Sequence, residues 1–497
     1  MASTPPSGAS PSGDPDQRPA PETYVSPLSE RFASREMQAI WSPARKFGAW
    51  RRLWLALAEV EQTLGLPITD EQLAEIRAHL DITLGDLRRA SEHERRLRHD
   101  VMAHVHALGD VAPAARPIIH LGATSQFVNC NTEIMQLRDA LDLVCVKVAG
   151  CIDALADQAT AWRDLPTLAF THYQPAQPTT VGKRCCLWAY DLALCLERLE
   201  HTRDGLRLRG AKGATGTQAS FLALFDGDAK KVEELDRMVA EKLGFAPEAR
   251  HVVTGQTYPR VVDAFVLADR AAVASVAHKI ATDIRLLANR KELDEPFGAH
   301  QIGSSAMPYK RNPMRCERIC GLARFVMNLQ QNAFDTAAVQ WLERTLDDSS
   351  NRRLSLPESF LALDGALDLL HNVAGGFEVH TALVRANLMA ELPFMTTENL
   401  MMEAVRQGQD RQEVHEAIRR HSQQAGQRVK DQGLDNDLID RLRTEPLLAD
   451  VDVESLMDPM AYVGLAPRQV DAFVRDVATP IRRRYAGRLG EAGEPRV

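Results

Sequence analysis

Three things are scarce in this sequence: aromatic side chains, an excess of basic charge and long apolar runs. Aromatic residues make up 6% of the 497 residues, and the formal net charge is −8 at pH 7. An acidic chain is poorly suited to general nucleic-acid binding, although a local basic pocket is compatible with it. The apolar runs fall short of the roughly 20 residues of a membrane-spanning helix. We therefore expect neither nucleic acid nor a membrane as a partner.

The chain also lacks a C-x-x-C pair among its eight cysteines. Most lie in apolar helical patterns, including the adjacent Cys185 and Cys186. This placement favours reduced, buried thiols in a cytoplasmic enzyme over a disulfide framework. Residues 1–22 are rich in Pro, Ser, Gly and Ala and lack the apolar core and basic charge of a targeting peptide. They are predicted to form a disordered tail.

Helical periodicity, in contrast, runs through most of the chain. From residue 124 onward, five long stretches repeat apolar residues at intervals of three and four, which is typical of the seams of a helix bundle. A chain of this length needs more than one core. We predict an all-α fold with an N-terminal helical domain over 23–123, a central long-helix bundle over 124–377 and a C-terminal helical domain over 378–497.

Local signals place some of the helix ends. Residues 69–72, Thr-Asp-Glu-Gln, have the pattern of a capping box that opens a helix. Residues 131–133, Asn-Thr-Glu, are predicted to cap the first bundle helix. Residues 95–106 are predicted to form one helix, and residues 207–220 carry a weak β signal.

Three histidines, His99, His104 and His106, fall within eight residues of the predicted helix over 95–106. On a helix they do not share one face, and no H-E-x-x-H spacing occurs, so we predict no metal site. Cations crowd the N-terminal end of the same helix, where they oppose the helix dipole. Cations that do not favour the helix itself indicate an anionic partner.

Three polar segments between the seams are candidates for function. Residues 171–177 place His172 in a hydrophilic turn, where an acid–base role competes with a structural one. Residues 205–216 are rich in glycine but lack the terminal Gly-Lys-Ser/Thr of a phosphate-binding loop, so nucleotide hydrolysis is excluded. Residues 343–353 concentrate cations and hydroxyls, which form either a solvated face or an anion site.

The most informative stretch is residues 303–313, Gly-Ser-Ser-Ala-Met-Pro-Tyr-Lys-Arg-Asn-Pro. Its glycine and prolines predict a loop, and a helical run begins directly after Pro313. Lys310 and the N-terminal amides of that helix would form a site for a negatively charged group. From composition alone, an ordinary surface loop explains the stretch equally well.

The order of residues favours the first interpretation, because every fixed position matches G-S-S-x-M-P-x-K-x-N-P, the signature loop of the fumarase/aspartase superfamily. Tyr309, Arg311 and the sequence from about Tyr24 to beyond Asp476 resemble the adenylosuccinate lyase branch, in particular its animal-type members. The resemblance implies a three-domain all-α fold with the signature loop over 298–313. It also implies a homotetramer whose central helices form one core, and no cofactor or metal.

The resemblance further implies a carbon–nitrogen lyase that releases fumarate by β-elimination, through general acid–base chemistry. Members of the branch cleave adenylosuccinate to AMP, and succinylaminoimidazole carboxamide ribotide to the carboxamide ribotide, in purine nucleotide biosynthesis. Removing a proton from the carbon beside a carboxylate puts a second negative charge on that carboxylate. Fixed donors and cations must therefore surround it before the reaction begins.

Catalytic roles follow residue by residue from the same resemblance. Ser304 is expected to be the general base and His172 the general acid. Lys310 and Asn312 would stabilise the developing charge, and His99 would hold the substrate. Glu317 would orient either His99 or Lys310, and the sequence does not choose between them.

Substrate contacts are carried over in the same way. They are spread along the whole chain, and in the family three subunits of the tetramer contribute to each site. Phe32 stands where animal-type members usually have Tyr, and the missing hydroxyl puts one hydrogen bond to phosphate or ribose in doubt but not the reaction class. The expected contacts are Arg31, Phe32, Arg98, His99, Asp100, Thr124, Ser125, Thr171, Gln256, Lys310, Asn312, Arg318, Arg344, Ser349 and Arg353.

Two alternatives stay open. One is another fumarate-releasing lyase of the superfamily, of the argininosuccinate lyase or aspartase type. Such an enzyme would not need the cations Arg98, Arg344 and Arg353. The other is a structural homologue without activity, which the intact His172 and Ser304 argue against.

Overall fold

The computed structural model describes residues 23–298 and 300–490, so the predicted tail over 1–22 lies outside the described residues. Helices dominate this part of the chain. They are α1 (Arg35–Ile40), α2 (Pro43–Thr63), α3 (Asp70–Ala78), α4 (Leu84–Leu97), α5 (Asp100–Gly109), α6 (Ser125–Ala161), α7 (Val181–Asp204), α8 (Ala219–Leu224), α9 (Ala229–Lys242), α10 (Val261–Asn289), α11 (Met314–Ala338), α12 (Asp347–Gly376), α13 (Thr381–Met395), α14 (Thr397–Arg406), α15 (Arg411–Gln432), α16 (Leu438–Arg443), α17 (Ala466–Phe473) and α18 (Thr479–Arg484).

The long helices α6, α7, α10, α11 and α12 pack against one another as the central bundle. Their apolar seams are buried as predicted: Leu137, Leu141, Val144 and Val148 of α6 are fully inaccessible to solvent. Side chains at intervals of three and four fall on one helix face, which is why the periodicity marks the core. The predicted all-α fold with a central long-helix bundle is therefore confirmed.

Two short antiparallel sheets interrupt the helices. Strands β1 (Pro166–Thr171) and β2 (Gln174–Thr180) form a hairpin, and β3 (Leu293–Asp294) pairs with β4 (Glu378–Val379). The weak β signal at 207–220 corresponds only to an isolated bridge between Leu208 and Arg250. The hairpin was not predicted, because proline, threonine and glutamine dilute its strand pattern.

Of the three local helix predictions, one was right and two were wrong. The capping box at Thr69 and Gln72 is present. The first bundle helix, however, begins at Ser125, six residues before the predicted cap. Asn131 lies buried inside α6, where its amide donates to Phe127 O at 2.8 Å. The predicted helix over 95–106 is broken at Arg98, whose φ of 53° is left-handed.

The described residues form a large and a small apolar core. The large core joins the N-terminal helices and the bundle, and Val470, Ile481 and Tyr485 from the end of the chain belong to it. The small core is built by α14–α16 and the turns after them. The domain limits proposed from the sequence therefore stay a prediction, and the packing indicates that the last helices return to the bundle.

The predicted burial of the cysteines is confirmed, because all eight are buried and none forms a disulfide. Burial raises the pKa of Cys195 to about 11 and that of Cys186 to about 12. Such thiols stay protonated at neutral pH. Within residues 23–298 and 300–490, no helix combines the length and the apolar character needed to cross a bilayer.

Candidate active site

A cavity of about 660 Å³ lies where the break between α4 and α5 meets the start of α6 and the start of α12. It collects half of the eighteen site residues expected from the sequence. Those lining it are Arg98, His99, Asp100, Thr124, Ser125, Gln256, Arg344, Ser349 and Arg353.

The break between α4 and α5 is what presents His99 to the cavity. Arg98 ends α4 in a left-handed conformation, and His99 then caps α5, with its Nδ1 accepting the Met102 N–H at 3.3 Å. Because Nδ1 accepts, a neutral His99 carries its proton on Nε2. That nitrogen lies 3.3 Å from Ser125 Oγ, so His99 donates to Ser125.

Asp100 and Arg353 form an ion pair across the cavity wall, with a guanidinium nitrogen 2.7 Å from Oδ2. Burial alone would raise the pKa of Asp100, but the hydrogen bond and charge of Arg353 lower it overall. Ser349 and Arg353 are one helical turn apart in α12 and therefore share a face. The nearby Lys46 has its pKa lowered by burial and by the Arg353 charge.

Arg344 is held by several acceptors at once. Its terminal nitrogens donate to Gln256 Oε1 at 3.1 Å and to Asp348 Oδ1 at 3.3 Å. When the Gln126 amide is oriented to satisfy its neighbours, its oxygen accepts from both nitrogens, at 2.7 and 3.2 Å. Three arginines, Arg98, Arg344 and Arg353, thus converge on one cavity, which suits a ligand with several negative charges.

The helix N-terminus available to an anion differs from the one predicted. At the start of α11, the carboxylate of Glu295 already accepts the N–H groups of Arg315 (2.9 Å) and Cys316 (3.0 Å). The prediction that these amides bind substrate was therefore wrong. At the cavity, α6 begins at Ser125 without a side-chain cap and without an acid in its first turn. The N-terminal end of its dipole favours negative charge there.

His172 lies at the tip of the β1–β2 hairpin, not in an irregular turn. Thr171 pairs with Gln174, and both central residues, His172 and Tyr173, have left-handed φ values of 55° and 56°. This is the two-residue turn whose twist matches a hairpin, and it usually needs glycine or asparagine. The tip is exposed, with Tyr173 52% accessible. A strained, exposed hairpin tip is a candidate for function.

The signature loop carries Ser304 on a tight turn. Its Oγ accepts the N–H groups of Ala306 at 3.3 Å and Met307 at 3.1 Å. Donors of this kind stabilise the deprotonated form of a hydroxyl, as a general base requires. The Asn312 amide donates to Gly303 O at 2.8 Å, and a Cβ on Gly303 would lie 2.2 Å from Lys310 O. Glycine is therefore needed to close the loop.

The remaining expected residues lie in two other places. Glu317, on the first turn of α11, pairs at 3.9 Å with Arg285, so within one chain its ion pair is with neither His99 nor Lys310. Arg318 follows it on the same turn. Arg31 and Phe32 end a π-helical turn at Leu28–Phe32. Phe32 packs closely on Gly365 in the middle of α12.

The lengths of the helices separate these groups from the cavity. Ser349 lies at the cavity, whereas Asn372, which accepts from Arg315 at 2.6 Å, marks the base of the signature loop. Both are on α12, 23 positions apart, so about 35 Å separates them. Likewise, α6 starts at the cavity and runs 37 residues, or about 55 Å, toward the hairpin of His172. One chain therefore leaves Ser304 and His172 far from the cavity.

Five lining residues were missed by the sequence analysis. Helical spacing could have found some of them: Glu94 lies one turn before Arg98, and Asn129 one turn after Ser125. The missed set is Glu94, Gln126, Asn129, Leu346 and Ser350.

Comparisons with known proteins agree along the chain. A family model described as "Lyase" matches residues 26–328, and one described as "Adenylosuccinate lyase C-terminus" matches residues 393–473. The adenylosuccinate lyase of Schizosaccharomyces pombe is 52% identical and aligns over 92% of this chain and 95% of its own. That of Saccharomyces cerevisiae is 50% identical, over 91% and 94%. That of Schistosoma mansoni is 47% identical, over 93% and 97%.

Solved structures give the same fold. A fumarate lyase from Mesorhizobium sp. BNC1 superposes with a TM-score of 0.76 at 25% identity, covering 90% of this chain and 99% of its own. The 3-carboxy-cis,cis-muconate lactonizing enzyme from Pseudomonas putida superposes with a TM-score of 0.77 at 28% identity, covering 93% and 99%. Because these two enzymes are named for different reactions, function must be argued from the site rather than from the fold.

Proposed function

This chain belongs to the adenylosuccinate lyase family of the fumarase/aspartase superfamily, and we propose from that membership that it cleaves adenylosuccinate to AMP and fumarate. Succinylaminoimidazole carboxamide ribotide is proposed as a second substrate of the same site. The observation that carries the proposal is the cavity with Arg98, Arg344 and Arg353. Both substrates bear a phosphate and two carboxylates, and arginine binds each of these groups through two hydrogen bonds.

The proposed reaction is a β-elimination with two positioned groups. Ser304 removes the proton from the carbon beside one carboxylate, a double bond forms, and the C–N bond breaks. His172 donates a proton to the departing nitrogen. The two amide donors to Ser304 Oγ favour its charged form. Lys310 and Asn312 would then stabilise the charge that develops on the carboxylate.

Asn312 must change partners for this role. In the described state its amide donates to the Gly303 carbonyl and so holds the loop closed on itself. Lys310 is exposed. Binding of the substrate carboxylate would draw both donors to it, as expected for a loop that completes the site only around its ligand.

We further propose that each site is shared between copies of the chain in a homotetramer. Because about 35 Å separates the cavity from the base of the signature loop along α12, Ser304 must reach the cavity from another copy. The same holds for His172 at the far end of α6. Apolar side chains exposed on the bundle, including Leu187, Leu194, Phe265 and Phe325, would be buried in such an assembly.

A mixing experiment tests both statements. Ser304→Ala and His172→Asn variants, each inactive alone, are combined, dissociated and reassembled. Fumarate release from adenylosuccinate should return in the mixture, because some sites then receive an intact Ser304 and an intact His172 from different copies. No recovery in verified mixed tetramers would refute the sharing. Activity of the unmodified chain on argininosuccinate or aspartate, but not on adenylosuccinate, would refute the substrate assignment.

A further inference from the structure

We propose that Asp348 is a positioning residue for substrate binding, because it fixes the guanidinium of Arg344 at the cavity. The inference rests on the proposed function, in which Arg344 binds an anionic group of the substrate. Asp348 lies behind the cavity wall, and its side chain is 0% exposed, whereas that of Arg344 is 13% exposed and lines the cavity. Asp348 would thus act on the ligand only through Arg344.

The two oxygens of Asp348 serve different arginines. Oδ2 accepts from Arg260 twice, from Nε at 2.8 Å and from a terminal nitrogen at 2.7 Å. Oδ1 accepts from Arg344 at 3.3 Å. Both Arg260 donors go to Oδ2, so they hold that oxygen in place and leave Oδ1 to Arg344. The position of Oδ1 in turn sets where Arg344 can place its charge.

Arg260 is itself held in place. Its side chain is 2% exposed, its guanidinium lies 4.6 Å from the Tyr258 ring, and a terminal nitrogen lies 3.8 Å from Glu133. Glu133 also pairs with the buried Arg352 at 2.9 Å. Cations and carboxylates therefore alternate beneath the cavity. Removing the Asp348 charge would leave Arg260 and Arg344 close together with no carboxylate between them.

Neutral acceptors cannot replace Asp348. Gln256 and Gln126 also accept from Arg344, but their amides carry no charge to offset that of Arg260. A guanidinium ordered before the ligand arrives loses less entropy on binding, which strengthens binding. The substrate anion is present in both the ground state and the transition state, so weaker positioning of Arg344 should raise KM and leave kcat nearly unchanged.

Asp347 provides a matched control. It precedes Asp348 in the first turn of α12 but is exposed to solvent. We expect Asp348→Asn to raise KM for adenylosuccinate at least about tenfold, with kcat within about threefold. Asp347→Asn should leave both values unchanged. In an Arg344→Met background, Asp348→Asn should have little further effect on KM, because the residue through which it acts is gone.

The outcomes separate this inference from the proposed function. If the unmodified chain and Asp347→Asn release no fumarate from adenylosuccinate, the proposed function fails. If both release fumarate, two results refute the positioning role. One is that Asp348→Asn has the same KM as the unmodified chain. The other is that Asp348→Asn raises KM by the same factor in the Arg344→Met background as in the unmodified chain. If Asp348→Asn does not fold, KM and thermal unfolding are measured for Asp348→Glu instead. A raised KM with unchanged thermal unfolding supports the positioning role, and an unchanged KM overturns it. Failure of both variants to fold also overturns it, because Asp348 is then a folding residue.

Discussion

Oε2 of Glu295 accepts the backbone N–H of Cys316 at 3.0 Å, so the first turn of α11 is capped from 21 residues earlier in the chain. The other carboxylate oxygen accepts from the neighbouring Arg315 N–H. Arg315 in turn donates to Asn372 of α12. These contacts close the base of the loop that carries Ser304 and Lys310. They also occupy the amides that would otherwise attract the substrate.

Glu295→Gln should therefore reduce turnover without weakening binding at the cavity. A glutamine side chain places an NH2 donor where one of the two acceptor oxygens was, so one of the two N–H groups loses its partner, at a cost of about 1–3 kcal/mol. We expect kcat for adenylosuccinate to fall and calorimetric affinity for AMP to stay unchanged. Glu378→Gln is the control, because Glu378 reaches the loop only through an exposed ion pair with Arg311. An equal loss of AMP affinity in Glu295→Gln would contradict the local role.

His172→Asn should remove the proposed acid while keeping the turn. Asparagine tolerates the left-handed φ that His172 adopts, so the hairpin is not strained by the change. We expect kcat to fall by about 10²–10⁴-fold, the usual contribution of a general acid. Circular dichroism and thermal unfolding should match those of the unmodified chain. A kcat within a few fold of normal would remove His172 from the mechanism.

Ser304→Ala should abolish turnover and leave substrate binding measurable. The substitution deletes the hydroxyl that accepts from the Ala306 and Met307 amides, and both amides lie in an exposed loop where water can replace it. A loss of at least about 10²-fold in kcat is expected for a missing general base. Pre-steady-state measurement of adenylosuccinate binding provides the second readout. A variant that binds and turns over normally would place the base elsewhere.

Glu61 should make the stability of the chain depend on alkaline pH. Both of its carboxyl oxygens are buried without a hydrogen-bond partner in the described residues, and burial raises its pKa to about 9. A raised folded pKa means that the folded chain keeps a proton that the unfolded chain has lost. Its contribution to stability is therefore complete below the unfolded pKa of about 4.3 and is lost as pH rises toward 9.

Glu61→Gln tests this, because a neutral amide has no proton to lose. Between pH 6 and 9, the stability of the unmodified chain should fall relative to Glu61→Gln by up to about 1.4 kcal/mol per pH unit. Denaturant unfolding at several pH values measures the difference. Glu59→Gln is the control on the same helix: the pKa of Glu59 is lowered by Lys242 and Arg77 despite some burial. The difference in the free energy of unfolding between Glu59→Gln and the unmodified chain should not change over that pH range. An unchanged difference for Glu61→Gln would refute the prediction.

The bundle could be predicted from the sequence because helical periodicity is a local property. Leu137, Leu141 and Val144 mark their helix face within two turns of chain, and the capping box at Thr69 needs only four residues. The start of α6 was predicted six residues too late, since Asn131 has the polar character of a cap. Its amide instead bonds within the core, to Phe127 and Gly210. Only the tertiary structure supplies that partner.

The candidate site was predictable as a set of residues and not as an arrangement. The resemblance provided Asp100 and Arg353, but their contact spans 253 positions that no local pattern relates. Glu295 was missed because its carboxylate acts on amides 20 and 21 residues away. The break at Arg98, which turns His99 toward Ser125, could not be predicted, because the left-handed residue there is an arginine and not the glycine that usually marks a helix end. Long-range packing stabilises each of these features.

Helix α12 reaches two distant places, since Ser349 and Arg353 face the cavity near its first turn and Asn372 supports the loop base near its last. In the proposed assembly those ends belong to different reaction centres. A substitution that shifts or bends α12 would then impair both of the reaction centres to which that copy contributes. In cells that make both normal and altered chains, such a change would inactivate more than one centre of a mixed tetramer for each altered copy. An equally severe change confined to Ser304 would inactivate only one centre per altered copy.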